Sequence, residues 1–134
     1  MFVLGKRSRK NLVGVHEDLV IVVERAIELT DQDFTVIEGI RNITRQRKLV
    51  KSGASTTMNS RHLTGHAVDI APYPFDGDID ADGVINIKDW DQYYPIEKAM
   101  KLAAEELGID LVWGGDWKSF KDGPHWQLSR KTYP

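Results

Sequence analysis

The sequence predicts an α+β fold in which a central antiparallel sheet is flanked by helices. Two observations carry this. Apolar residues recur at helical spacing over residues 15–27 and again over 95–107. Four short runs, 34–40, 66–71, 111–113 and the stretch opened by His125, are instead β-branched or aromatic and too brief for helices. A chain of 134 residues has the size of one ordinary domain, 1–134, with a core of its own.

The elements follow in order. Lys6, Arg7, Arg9 and Lys10 are basic like the start of an export signal, but His16, Glu17 and Asp18 interrupt the apolar run that would have to follow. The expectation is a protein made and kept in solution, without an anchor. Val15, Leu19, Val22, Val23, Ala26 and Ile27 form the apolar stripe of the first helix, with Glu17, Glu24 and Arg25 outward. His16-Glu17 does not begin an H-E-x-x-H zinc signature, because Val occupies position 20. Residues 34–40 read as a strand with Arg41 at its end, 43–51 as a short basic helix stopping near Gly53, and 54–59 as a small polar loop on a cleft rim. Pro95 opens the second long helix, Ile96, Met100, Ala103 and Leu107 give its buried face, Glu97 pairs with Lys101, and Gly108 ends it.

Composition excludes several classes of function. Lys and Arg number 18 against 20 Asp and Glu, a net charge of −2, so no strong field points to nucleic acid or an anionic membrane. There is no cysteine, which removes disulfides, thiolate metal sites and cysteine nucleophiles.

The chemistry concentrates in Ser60-Arg61-His62-Leu63-Thr64-Gly65-His66-Ala67-Val68-Asp69, which reads as half of a metal site. His62 on a loop and Asp69 on the following strand meet if Gly65 permits the turn between them. His66 alternates onto the opposite strand face from Asp69 and is left out. A catalytic zinc commonly takes three protein ligands, and His125, at the start of the last strand run, is the candidate for the third.

The spacing Ser60-x-His62-x-x-Gly65-x-Ala67-x-Asp69, followed by Asp122-x-x-His125-Trp126, resembles the zinc peptidase family of D-alanyl-D-alanine carboxypeptidases, vancomycin-resistance dipeptidases and phage L-alanyl-D-glutamate endolysins. The segments 4–8, 15–19 and 39–41 resemble the phage endolysin branch, so the likeness runs over nearly the whole chain. The resemblance implies zinc held by His62, Asp69 and His125, Asp122 as general base with Asp116 as its competitor, and Arg41 facing the scissile carbonyl. It implies a monomeric L-alanyl-D-glutamate endopeptidase acting on peptidoglycan stem peptides, made in the host cytoplasm and reaching the wall in the periplasm after a separate protein opens the membrane. The alternatives are a D-alanyl-D-alanine carboxypeptidase or dipeptidase, and a non-catalytic wall-binding or calcium-binding module. Trp113, Trp117, Phe120 and Trp126 are expected near the site, as its packed wall before a sugar-stacking platform.

Residues 78–89 stand apart from the family pattern. Asp78, Asp80 and Asp82 occupy positions 1, 3 and 5 of an EF-hand-like calcium loop, Gly83 position 6, Val84 the carbonyl position 7 and Asp89 position 12. The same composition suits an Asp-Gly hairpin turn that binds nothing.

Overall fold

A computed structural model describes residues 1–134 except 56, 76, 80–84, 88 and 89; residues 77–79, 85 and 86 are described by their backbone alone. The order is α1 (Lys6–Asn11), α2 (Glu17–Leu29), β1 (Phe34–Glu38), α3 (Ile43–Ser52), a 3-10 turn at Arg61–Thr64, β2 (Ala67–Pro72), β3 (Gly77–Ile79), β4 (Ile85–Ile87), α4 (Tyr93–Leu107), β5 (Leu111–Trp113) and β6 (His125–Leu128). The main sheet has the order β1-β2-β6-β5 with every pairing antiparallel.

Strand alternation divides this sheet into two faces of different chemistry. Phe34, Val36, Val68, Ile70, Trp126 and Leu128 lie on one face and are buried in the core, which includes Leu19, Val22, Val23 and Ala26 of α2 and Ile96, Met100 and Ala103 of α4. Asp69, His125 and Gln127 alternate onto the other. Trp126 stacks on Trp113 with ring centroids 5.6 Å apart, joining β6 to β5.

Three local features depart from the expected elements. The helix α1 is too short to show periodicity; it lies along β1, where Asn11 Nδ2 donates to the Val36 carbonyl (2.8 Å) and Val36 N–H donates to Ser8 Oγ (2.9 Å). β1 ends at Glu38 because the register shifts between Val36 and Glu38, and this bulge sets Glu38 opposite Asp69. α4 begins at Tyr93 instead of at Pro95, which sits in the first turn where its missing N–H has no helical acceptor to satisfy.

Two short strands fall largely within the 78–89 segment. β3 and β4 pair with Gly77 opposite Ile87, Asp78 opposite Asn86 and Ile79 opposite Ile85. Asp80, Asp82, Val84 and Asp89 lie outside the described residues, as does the Asp78 side chain.

Gly39 follows β1 at a point where α1 comes very close: a Cβ there would stand 1.9 Å from the Asn11 carbonyl oxygen and 3.0 Å from Val15 Cγ2. A backbone oxygen cannot swing aside as a side chain can. Gly39→Ala is therefore expected to destabilise the fold by about 1–3 kcal/mol or more, the cost of overpacking, read as a lower urea midpoint at an unchanged slope.

Candidate functional site: a histidine–aspartate–histidine cluster

The turn that carries His62 is built from its caps. Ser60 Oγ accepts the His62 N–H (3.2 Å), and Gly65 closes the 3-10 turn at φ +77°, a left-handed conformation that disfavours side chains. His62 is 2% exposed. Its Nδ1 bonds the Gly39 carbonyl oxygen (2.8 Å) and its Nε2 lies 3.2 Å from Asp69 Oδ1. A carbonyl oxygen only accepts, so Nδ1 carries a proton, and in the neutral ring Nε2 is the nitrogen with a lone pair to offer a cation.

Asp69 and His125 are direct cross-strand partners in β2 and β6. His125 Nδ1 stands 3.5 Å from Asp69 Oδ1, and the two imidazole rings meet edge-on with centroids 5.1 Å apart. One nitrogen of each histidine and one carboxylate oxygen of Asp69 all lie within 4.8 Å of one another. Two imidazoles and one carboxylate at this separation suit a single divalent cation.

Asp69 is also in contact with Arg41. The Arg41 guanidinium is clamped by Glu38 through Nε and Nη2 (both 2.8 Å), donates from Nη1 to Gln46 Oε1 (2.7 Å), and reaches Asp69 Oδ2 at 3.5 Å. Gln46 is fully buried and its amide nitrogen donates to Ser55 Oγ and the Thr57 carbonyl, tying Arg41 to these two residues. Arg41 is thus a fixed cation at the cleft wall, with most of its donors committed.

Burial alone would raise the Asp69 carboxyl, but His62 and His125 outweigh it and hold the group well below the usual carboxylate range. For His125, burial pulls the imidazole down, and the Asp69 carboxylate with the Asp122 charge reverses this to a net upward shift. Asp122 is pushed up to about 6, first by burial and then by the Asp69 charge, with His125, His62 and Arg41 pulling the other way. Its backbone joins the site to the turn after β5, since Asp122 N–H donates to the Gly114 carbonyl and His125 N–H to the Asp122 carbonyl.

These residues line a cleft of about 1200 Å³ together with Trp117, Phe120, Gln127 and Arg130. Asp116, the competing base, bonds Lys101 Nζ (2.7 Å) and lies on a different depression with Trp90 and Trp113. The aromatics do not form one wall. Trp113 and Trp126 are core, Trp117 lies against His125 with centroids 5.1 Å apart, and Phe120 is 76% exposed at φ +53°. Sequence reasoning missed Glu38, Gln46 and Gln127. Only Gln127 left a signal there, because it lies two residues beyond His125 in one strand and so shares its face.

Fold and site together define a peptidase whose histidine–aspartate–histidine cluster is compatible with a metal ion. The family model for phage L-alanyl-D-glutamate peptidases matches residues 1–133, and the chain belongs to that family. It is 36% identical to the L-alanyl-D-glutamate peptidase of Escherichia phage T5, over 98% of this chain and 93% of that one. It is also 36% identical to the peptidoglycan L-alanyl-D-glutamate endopeptidase CwlK of Bacillus subtilis, over 72% of this chain and 60% of the relative. Among solved structures, the Serratia marcescens L-Ala D-Glu endopeptidase ChiX matches with a TM-score of 0.83 at 47% identity, covering 96% of this chain and 91% of that one.

The upward shift of Asp122 has a consequence for the metal-free protein. A carboxyl raised from 3.8 to about 6 on folding favours the protonated form, so the fold loses stability as pH rises from about 4 to above 6. Asp122→Asn mimics the neutral acid. Metal-free Asp122→Asn should be more stable than the parent at pH 7, by up to about 3 kcal/mol at 1.36 kcal/mol per unit, and the gap should close below pH 4. Denaturant melts at the two pH values check this; a gap that persists at pH 4 would assign it to packing.

Proposed function

We propose that this chain is a zinc-dependent endopeptidase that hydrolyses the L-alanyl–D-glutamate bond of the peptidoglycan stem, serving as a phage endolysin. The observation that carries the reading is the convergence of His62, Asp69 and His125 beside the buried Asp122 carboxyl in one cleft. His62, Asp69 and His125 would hold the ion, which when bound would polarise the scissile carbonyl and acidify a water. Asp122 takes the proton of the attacking water and returns it to the departing amine of the D-glutamyl residue. Its raised affinity for protons suits a group that must both accept and release one near neutral pH. Arg41, immobilised by Glu38 and Gln46, presents a cation toward the negative charge that develops on the carbonyl oxygen. No helix among the described residues is long and apolar enough to cross a membrane. The enzyme acts as a monomer, synthesised in the host cytoplasm and admitted to the wall once the membrane is opened.

Calcium enters through the 78–89 loop. Asp78, Asp80, Asp82, the Val84 carbonyl and Asp89 would bind one ion in a loop closed by the strands β3 and β4. Because this hairpin follows β2, an ion bound there would steady the strand that carries Asp69.

Three measurements test these statements. Digested sacculi should yield peptides with free D-glutamyl N-termini, and release of D-alanine alone would move the enzyme to the carboxypeptidases. The purified protein should hold about one zinc per chain and lose it in His62→Ala; Asp122→Asn should keep zinc while its rate falls by roughly 10²–10⁴-fold, and Asp116→Asn should hydrolyse like the parent. Calcium should raise the melting temperature in the parent and not in Asp80→Ala/Asp82→Ala; if it leaves the parent unchanged, the loop is only a hairpin.

A further inference from the structure

The two histidines of the cluster have their outer nitrogens held in different ways. For His62 the acceptor is the Gly39 backbone carbonyl, which no side-chain substitution removes. For His125 it is a side chain: His125 Nε2 lies 2.8 Å from Gln127 Oε1. Gln127 stands opposite Ala67 in β2 and opposite Val112 in β5, on the cleft face of the sheet and two residues beyond His125 in the same strand.

A neutral imidazole carries one proton, so a nitrogen can donate a lone pair to a metal only if the other holds that proton. The Gln127 amide oxygen accepts the Nε2 proton and leaves Nδ1 unprotonated, and Nδ1 is the nitrogen that faces Asp69 Oδ1 at 3.5 Å. With the amide turned over, its NH₂ would meet Nε2 and the proton would move to Nδ1, where it would block the ligand position. We infer that Gln127 is a positioning residue that fixes the tautomer and ring orientation of His125 for metal binding. The inference rests on the zinc reading above.

The experiment compares the parent, Gln127→Leu and Gln127→Glu by zinc affinity in chelator competition and by the ¹⁵N shifts of the His125 imidazole in the metal-free protein at alkaline pH, where the ring is neutral. Loss of an outer partner of a ligating histidine typically costs 10–100-fold in affinity, and Gln127→Leu should lose this much and show a mixture of tautomers. Gln127→Glu, which can only accept, should bind zinc at least as tightly as the parent and keep the Nε2 proton. Parent-like affinity in Gln127→Leu, or affinity in Gln127→Glu as poor as in Gln127→Leu, would overturn the inference while leaving the zinc site standing. A parent protein that binds no zinc would instead remove the reading on which it rests.

Discussion

The register between β2 and β6 is the constraint on which the site depends. Asp69 and His125 face each other because Val68 pairs with Trp126 one residue away, on the opposite face. Side chains directly opposite in an antiparallel pair stand about 4.5–5.5 Å apart at Cβ, close enough to share one cation. A slip of β6 by one residue would turn His125 into the core, away from Asp69, and bring Trp126 out to the cleft. Burial of Trp126 against Trp113, with Ile70 and Leu128 beside it, opposes such a slip. The apolar face therefore holds the polar face in place.

The second layer is electrostatic. Glu38, Asp69 and His125 stand in one row across three strands, and the bulge in β1 puts Glu38 in that row. Arg41 bridges the two acids of the row, so neither carboxylate is buried without a counter-charge. The buried amide of Gln46 extends the network into α3 and to Ser55 and Thr57. The result is a chain of contacts that anchors Asp69 from the side opposite the histidines.

Much of this was legible in the sequence, for identifiable reasons. Helices α2 and α4 announced themselves through apolar residues at helical spacing, because each buries one stripe and exposes the other. The spacing of His62, Gly65 and Asp69 carried a local geometry, a turn followed by a strand, that needs no distant information. The helix α1 is too short for periodicity, and Glu38 enters the site through a bulge, which depends on pairing with β2 and leaves no trace in β1 alone. The aromatic residues misled for a related reason. Trp113 and Trp126 belong to the core by strand alternation, whereas Phe120 sits in an exposed loop, and composition does not distinguish these fates. Asp122 precedes His125 by three residues and Asp116 by nine, and residue type alone does not separate them; the fold does, placing Asp122 in the cleft and Asp116 in another depression, bonded to Lys101 of α4.

The way α1 lies on β1 has a consequence for association. A sheet that ended in an open β1 would offer free donors and acceptors to any extended chain, including another copy of itself. Here the outward N–H and C=O of Val36 are already bonded to Ser8 and Asn11. An incoming strand would have to peel α1 away before it made its first ladder bond at that residue. Two small polar side chains thus act as a stopper against growth of the sheet from this edge.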